Sequence, residues 1–153
     1  YFIVGDGQEK PLIEKRVKEL GDRYGLKIEL TSWIKDIATF NAGMDIICLS
    51  SDNEGTPVSL IEAQASGVPV ISTDVGGVKD ILKEGETGFV VPKKDAAAFS
   101  EKLQLLIENK EIRTKMSQNG WNFVRDKFHY TTLVKNMENY YAELIEKTRK
   151  NAK

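Results

Sequence analysis

The sequence predicts an α/β fold, with a parallel sheet of about five strands, helices on both faces of the sheet and a helical C-terminal extension. Short apolar runs bounded by turn residues alternate with segments of helical spacing as far as Pro92. Three of these runs are mostly apolar rather than alternating, as expected for strands whose two faces are covered by helices. After Pro92 the pattern is helical alone. Such an alternation of strands and helices builds a right-handed, Rossmann-like sheet.

Each element follows from a local pattern. Strands are predicted where apolar runs end at turn residues, and helices where apolar residues recur three or four positions apart. Asp95 stands where an N-terminal helix cap belongs, and Thr131 is near the start of the last helix. The predicted strands are 1–4, 26–30, 44–49, 68–71 and 88–91, and the predicted helices are 12–20, 34–42, 60–65, 78–82, 95–109, 111–127 and 131–149.

The composition is that of a globular chain. Of 153 residues, 41% are hydrophobic and 29% are charged, which is too apolar for a disordered chain of near-zero net charge. At this length one domain, spanning residues 1–153, is expected. The 22 Lys and Arg residues balance 23 Asp and Glu residues, so a surface that grips nucleic acid through its bulk charge is not expected. Recognition must therefore depend on a defined site.

A single cysteine and a single histidine limit the chemistry. Cys48 has no partner for an internal disulfide, and with His129 alone no Cys/His zinc cluster can form. A reducing, cytoplasmic location fits this usage, and Cys48 is expected to be buried in its strand and unreactive. No run approaches eighteen apolar residues, so no membrane-spanning helix is expected. The chain starts at Tyr1, without Met, directly in an apolar block, and we expect it to be a fragment.

Ligands of an open α/β sheet bind beyond the carboxyl ends of its strands. The loop after the predicted strand 44–49 runs from Ser50 to Pro57 and opens a helix. Pro57 suits the start of a helix because its missing N–H would have no partner there. The N–H groups of Val58, Ser59 and Leu60 are then expected to be free. A helix end with free donors and a positive dipole is a phosphate site that needs neither a basic side chain nor a metal.

Two carboxylates flank this helix end. Glu62 lies about one turn into the helix, where it can accept hydrogen bonds from two vicinal hydroxyls, such as those of a ribose. Glu54 precedes the turn and is expected to face the same cavity from the other side. Surface carboxylates that only stabilise the helix dipole are the plainer interpretation of such a pair. The Glu-Gly-x-Pro turn at a strand–helix junction is much rarer, and it favours a ligand with a sugar at each end and phosphates between them.

The stretch from Glu54 to Glu62 resembles the Glu-x7-Glu motif of the retaining glycosyltransferases known as glycosyl transferases group 1, whose fold is GT-B. The likeness covers about the whole chain, although Ser50 stands where Pro is common in the family. It implies that the chain is the C-terminal, donor-binding half of a GT-B fold. The matching blocks are Tyr1-Phe2-Ile3-Val4-Gly5-Asp6-Gly7, Ala42-Gly43-Met44-Asp45, 46–51, 62–71, Asp74-Val75-Gly76-Gly77 and 85–92.

The resemblance implies a role for each matching position. Glu54, the candidate catalytic residue, would contact hydroxyls of the donor sugar, and Glu62 would hold the ribose hydroxyls of the nucleotide. Positions of the turn would meet the sugar and the diphosphate, and an earlier segment would meet the nucleobase. These positions are Gly55, Thr56, Pro57, Val58 and Ser59 for the turn, and Trp33 and Ile34 for the nucleobase.

In the whole protein, the resemblance implies transfer of a sugar from a nucleotide diphosphate sugar to an acceptor hydroxyl, with retention at the anomeric carbon, in polysaccharide or glycoconjugate biosynthesis. No cofactor and no metal are expected, because helix-end N–H groups and basic residues stabilise the diphosphate charge. The family's Arg and Lys at this site, with the strand before them, and its N-terminal acceptor-binding domain would precede Tyr1. The chain alone is therefore expected to be inactive.

Two other interpretations stay open. One is a non-catalytic nucleotide-sugar-binding subunit that needs a separate partner chain. The other is a receiver-like α/β signalling domain, although of the acidic cluster expected after the first strand only Asp6 is there.

Three smaller features have competing interpretations. The pair Gly76-Gly77 allows either close backbone approach to a ligand or a plain turn. Lys93 and Lys94 stand where they can lie near a phosphate, although most lysine pairs in loops are simply solvated. A basic C-terminal tail suits contact of the full-length protein with an anionic membrane surface, although solvation is the default; it contains Lys147, Arg149, Lys150 and Lys153.

Overall fold

The computed structural model describes residues 1–151, and Lys153 of the basic tail lies outside the described residues. The chain divides into two compact units, Tyr1–Phe40 and Asn41–Lys153. That residues 1–153 act as one domain stays a prediction. Across residues 1–151, no helix is both long enough and apolar enough to cross a membrane.

Strands and helices alternate as far as the fifth described strand, and three helices follow it. The helical C-terminal extension is thereby confirmed. Asp95 caps the first of these three helices, because its Oδ1 accepts the Ala98 N–H at 2.9 Å. In chain order the elements are β1 (Phe2–Val4), α1 (Lys10–Tyr24), β2 (Glu29–Thr31), α2 (Ile37–Ala42), β3 (Ile47–Leu49), α3 (Val58–Ala65), β4 (Val70–Thr73), α4 (Val78–Ile81), β5 (Gly88–Val91), α5 (Ala96–Glu108), α6 (Lys110–Phe128) and α7 (Tyr130–Asn151).

The first unit, Tyr1–Phe40, holds a two-stranded parallel sheet. β1 pairs with β2 along its whole length, and α1 connects them. α1 ends at Gly25, which has a φ of 66° and donates its N–H to the Gly21 carbonyl at 2.8 Å. Glycine suits this position because the left-handed conformation is energetically unfavourable for residues that have a Cβ. The apolar strand β1 stays exposed, with Phe2 at 52%.

The second unit, Asn41–Lys153, holds a three-stranded parallel sheet in the order β3-β4-β5. All four residues of the central strand β4 are buried. The outer edge of β5 is partly closed, because the Glu84 carboxylate accepts the Val90 N–H at 2.5 Å. A side chain that occupies an edge in this way opposes pairing with another chain.

Two apolar clusters cover the opposite faces of β4. Val70 belongs to the cluster formed with α3 and α4, whereas the next residue, Ile71, belongs to the cluster formed with α5 and α6. Successive strand residues point to opposite faces, so the prediction of helices on both faces is confirmed for this sheet. The first cluster consists of Leu60, Ala63, Val70, Val75, Val78, Ile81 and Leu82, and the second of Ile71, Phe89, Val91, Leu106 and Met116.

The α/β class with parallel strands is confirmed, but the five described strands are divided between two sheets rather than joined in one. Sequence periodicity predicts which residues form strands, but it does not predict which strands pair, because pairing depends on contacts between distant segments. The expectation that Cys48 is buried is wrong. Cys48 lies in β3 as predicted, but it is exposed, because the apolar cluster on the face of Ile71, its partner in β4, does not extend over it.

Candidate functional site

The loop 50–57 connects the end of β3 to the start of α3. Pro57 is buried and occupies the N-cap position, with φ −71° and ψ 98°. Its carbonyl accepts the Leu60 N–H at 3.1 Å, so this donor, expected to be free, is paired inside the helix. Within residues 1–151, the N–H groups of Val58 and Ser59 have no acceptor. Two free donors, rather than three, therefore lie at the positive end of the helix dipole.

Side chains from two neighbouring strand ends hold the first half of loop 50–57. The Thr73 hydroxyl at the end of β4 donates to the Ser51 carbonyl at 2.6 Å. The Lys93 ammonium after β5 donates to the Asp52 carbonyl at 3.2 Å, so this lysine is neither simply solvated nor unpaired. The sequence interpretation missed Thr73. A hydroxyl residue at the carboxyl end of an apolar strand was the available signal, because such ends meet at one edge of a parallel sheet.

The paired glycines hold the second half of the loop. The Gly77 N–H donates to the Gly55 carbonyl at 2.7 Å. Gly76 has a φ of 50°, and a Cβ at Gly76 would overlap the Glu54 carbonyl oxygen and lie 2.7 Å from its carbonyl carbon. The pair therefore allows a close approach of two backbone segments, whereas the predicted approach to a ligand stays a prediction. The backbone that the glycines approach is the protein's own loop.

Glu62 lies on the face of α3 that is turned away from the core. Leu60 and Gln64 are buried, and with 3.6 residues per turn Glu62 falls on the opposite side, beside Val58. At a rise of about 1.5 Å per residue, Glu62 is about 6 Å along the helix from Val58. Gln64 fixes this orientation, because its Nε2 donates to the Leu60 carbonyl at 3.1 Å and to the Ile81 carbonyl at 2.8 Å.

Both candidate carboxylates are half-buried. None of the ion pairs in the described part of the chain includes Glu54 or Glu62. They are therefore free of basic partners and can accept hydroxyl donors. Gly55 and Thr56 between them are exposed. One loop and the helix that it opens thus carry all the predicted positions from residue 54 to residue 62, whose roles toward a ligand stay predictions.

Trp33 and Ile34 belong to the other unit, Tyr1–Phe40. They lie between β2 and α2, where Trp33 is 81% exposed and Ile34 is half-buried. Asp36 caps the start of α2, because its Oδ1 accepts the Thr39 N–H at 3.1 Å. Hydrogen bonds from the Thr39 side chain and backbone lower the pKa of Asp36. The nucleobase role of Trp33 and Ile34 stays a prediction.

The thiol, the lone histidine and the acidic residues are the side chains best suited to bind a metal ion. In the part of the chain that the structure describes, no group of three or more His, Cys, Asp and Glu side chains is placed to hold a metal ion. Although Cys48 is exposed as a residue, the protein atoms around its thiol partly desolvate the sulfur, and this raises the pKa of the thiol to about 11. At neutral pH this thiol is therefore protonated, and it is a weak ligand and a weak nucleophile.

A sequence model of the glycosyl transferases group 1 matches residues 1–123, which include loop 50–57 and α3. The chain belongs to the glycosyl transferases group 1 family. Capsular polysaccharide biosynthesis glycosyltransferase CapM of Staphylococcus aureus is 33% identical over 121 residues, which cover 79% of this chain and 32% of CapM. D-inositol 3-phosphate glycosyltransferase of Corynebacterium efficiens is 34% identical over 131 residues, which cover 86% and 28% of the two chains. This family member thus spans about a third of the length of these relatives.

Solved structures of similar proteins confirm the predicted GT-B half. The C-terminal domain of the glycosyl transferase group 1 family protein LpcC from Francisella tularensis has a TM-score of 0.71 and 28% identity, covering 80% of this chain and 65% of that one. A glycosyltransferase from Rickettsia africae has a TM-score of 0.78 and 26% identity, covering 94% and 39%. Family membership also rules out the receiver-like signalling domain.

Proposed function

We propose that this chain is the donor-binding domain of a retaining glycosyltransferase, which transfers a sugar from a nucleotide diphosphate sugar to an acceptor hydroxyl in polysaccharide or glycoconjugate biosynthesis. Membership of the glycosyl transferases group 1 supports the proposal. So do the names of its relatives, which include a capsular polysaccharide biosynthesis glycosyltransferase and a lipopolysaccharide core biosynthesis glycosyltransferase.

The observation that carries the proposal is the start of α3. The free N–H groups of Val58 and Ser59 lie there, and Glu62 follows about one turn later on the side away from the core. A helix end of this kind binds phosphate oxygens through its N–H groups and its dipole. In the proposed complex these donors meet the diphosphate, and Glu62 accepts hydrogen bonds from the two ribose hydroxyls.

The same donors act on the reaction itself. When the bond between the anomeric carbon and the diphosphate oxygen breaks, negative charge grows on the diphosphate, and fixed donors stabilise that charge without reorganising. Loss of one comparable donor costs about 3–4 kcal/mol of transition-state stabilisation in enzymes where it has been removed. Glu54, just before the turn, accepts from hydroxyls of the donor sugar and orients its anomeric carbon. No divalent metal takes part in this scheme.

We also infer that the active protein is longer than residues 1–153. This chain covers only 32% of CapM, and two of the described strands, β1 and β3, each have one edge without a partner strand. β1 is apolar yet exposed, and β3 pairs only with β4 among the described strands. A further parallel strand, an Arg/Lys loop and an acceptor-binding domain would come from the rest of the protein. Residues 1–153 alone are then expected to bind nucleotide without transferring sugar.

Titration calorimetry of the whole protein with pairs of ribo- and 2′-deoxyribonucleoside diphosphates tests the nucleotide site. We expect the ribonucleotide to bind more tightly and Glu62→Ala to abolish the difference. Loss of a hydrogen bond to a charged group costs about 1.5–3 kcal/mol, or about 10- to 150-fold in affinity. Glu86→Ala is the matched control, because Glu86 is an exposed carboxylate remote in sequence from α3. Equal affinities of the unmodified protein for both nucleotides would contradict the assignment.

The stereochemical part of the proposal has its own measurement. Nuclear magnetic resonance of the product reports the anomeric configuration, and an inverted product would refute the retaining reaction. Nucleotide binding without turnover by the whole protein, with activity restored only by a second polypeptide, would instead support the non-catalytic subunit.

A further inference from the structure

We propose that Gly76 and Gly77 are positioning residues for Glu54. In this inference, which rests on the proposed function, the turn 74–77 fixes the peptide between Glu54 and Gly55. The orientation of that peptide then sets where the Glu54 carboxylate meets the donor sugar. The two glycines touch the loop, and they act on the sugar only through Glu54.

Contact with Gly76 fixes one side of the peptide. A Cβ at Gly76 would overlap the Glu54 carbonyl oxygen and would lie 2.7 Å from the Glu54 carbonyl carbon and 2.9 Å from the Gly55 oxygen. Only a residue without a side chain allows this approach, and the φ of 50° at Gly76 independently favours glycine. Because the obstructing atoms are backbone, any larger residue must displace the loop that carries Glu54.

Contact with Gly77 fixes the next peptide of the loop, between Gly55 and Thr56. Its N–H donates to the Gly55 carbonyl at 2.7 Å, and a Cβ at Gly77 would lie 2.9 Å from that oxygen. A hydrogen bond and a steric limit therefore act on the same group. The loop can neither move toward the turn nor rotate its peptide without losing the bond.

The turn 74–77 is itself held in place by contacts with β5, with Lys79 and with the core. The Asp74 N–H donates to the Val91 carbonyl at 2.7 Å, which ties the turn to the end of β5. The Asp74 carboxylate pairs with the Lys79 ammonium at 2.5 Å. Val75 and Val78 belong to the core cluster under α3. Through this turn, the sheet and the core therefore determine where Glu54 lies.

The arrangement predicts that a change in the turn 74–77 slows sugar transfer more than it weakens nucleotide binding. Glu62 is carried by α3, whose buried face is held in the core and whose Gln64 is bonded to the Ile81 carbonyl. A change in the turn should therefore displace Glu54 more than Glu62. A displacement of about 1 Å at a reacting centre can cost about 100-fold in rate.

The test uses the whole protein and a panel of UDP-glucose, GDP-mannose, ADP-glucose and their nucleoside diphosphates. With water as the acceptor of the sugar, the rate of nucleoside diphosphate release from the active donor gives kcat for donor hydrolysis, and titration of the nucleoside diphosphate gives its Kd. For Gly76→Ala we expect kcat to fall about 100-fold while the Kd changes less than about threefold. Gly85→Ala is the matched control, because Gly85 has a similar φ of 73° but no atom within 4 Å of an added Cβ. Its kcat should stay near that of the unmodified protein.

Lys79→Ala covers the case in which Gly76→Ala does not fold. It adds no atoms and removes only the exposed partner of Asp74, so the protein should fold normally, with a kcat about two- to fivefold lower and an unchanged nucleotide Kd. The inference is overturned if a folded Gly76→Ala behaves like Gly85→Ala, or if kcat is unchanged in Lys79→Ala. It is also overturned if Gly76→Ala weakens nucleotide binding as much as it lowers kcat. Failure of the unmodified protein to bind any nucleotide of the panel would instead refute the proposed function.

Discussion

Replacement of Gly88 by Ala should destabilise the three-stranded sheet of the second unit. Gly88 pairs with Val70 across the β4–β5 ladder. A Cβ at Gly88 would overlap the Val70 carbonyl oxygen and would lie 2.7 Å from Val70 Cγ2 and 3.1 Å from Leu82 Cδ1. The two side-chain carbons can move by a change of rotamer, but the carbonyl oxygen belongs to a buried strand. The methyl group can therefore be accommodated only if β5 moves away from β4.

The magnitude follows from what that movement breaks. Overpacking in a well-packed interior costs about 1–3 kcal/mol, and weakening one ladder hydrogen bond adds about 1 kcal/mol. We therefore expect a loss of about 2–4 kcal/mol in the free energy of unfolding. For a chain of this size that loss lowers the melting temperature by about 5–15 °C.

Urea and thermal unfolding, followed by circular dichroism, measure the effect. Gly55→Ala is the matched control, because no atom lies within 4 Å of a Cβ at Gly55 and its φ is not in the left-handed range. This control should lie within about 0.5 kcal/mol of the unmodified protein or be slightly more stable. If Gly88→Ala and Gly55→Ala unfold at the same urea concentration, the steric account of β5 is wrong.

Two further predictions concern the chemistry of the site and of the lone thiol. Addition of EDTA should leave nucleoside diphosphate binding to the whole protein unchanged, since helix-end N–H groups rather than a metal hold the phosphates; a strict need for Mg²⁺ in the titration would contradict this. Cys48, whose thiol has a pKa of about 11, should be alkylated about 200-fold more slowly at pH 8 than an ordinary thiol of pKa about 8.5. Its alkylation rate should rise about tenfold per pH unit from pH 7 to pH 10, because the thiolate fraction does, and a plateau below pH 9 would show that the thiol is not desolvated.

Local patterns were enough to predict the elements of the fold. The apolar run at 68–71 predicted β4, and burial on both faces is the reason that it is apolar throughout. Pro57 predicted the start of α3, because a proline fits a helix only where its missing N–H has no role. Asp95 predicted the cap of α5 in the same way. In each case the physical cause lies within a few residues of the sequence signal.

The features that sequence reasoning did not reach depend on contacts between distant segments. The division of the strands into two sheets, the exposure of Cys48 and the contact of Gly76 with Glu54 all require knowledge of which segments meet. The Leu60 N–H was expected to be free, but the chain closes a tight first turn onto Pro57. The pair Gly76-Gly77 did indicate a close approach of another group. A glycine in the sequence does not identify that group, which is here the backbone of loop 50–57.

The support of loop 50–57 has a consequence for catalysis. Three residues each donate a hydrogen bond to a different carbonyl of the loop. Thr73 is the last residue of β4, Gly77 follows β4, and Lys93 follows β5. These three hydrogen bonds hold the loop against the second unit's sheet before any ligand binds. Donors and acceptors fixed in advance stabilise developing charge more effectively than groups that must reorganise. The rigid sheet behind the loop therefore contributes to the proposed chemistry through the position of Glu54 and the N–H groups of α3, although none of its buried side chains needs to touch a substrate.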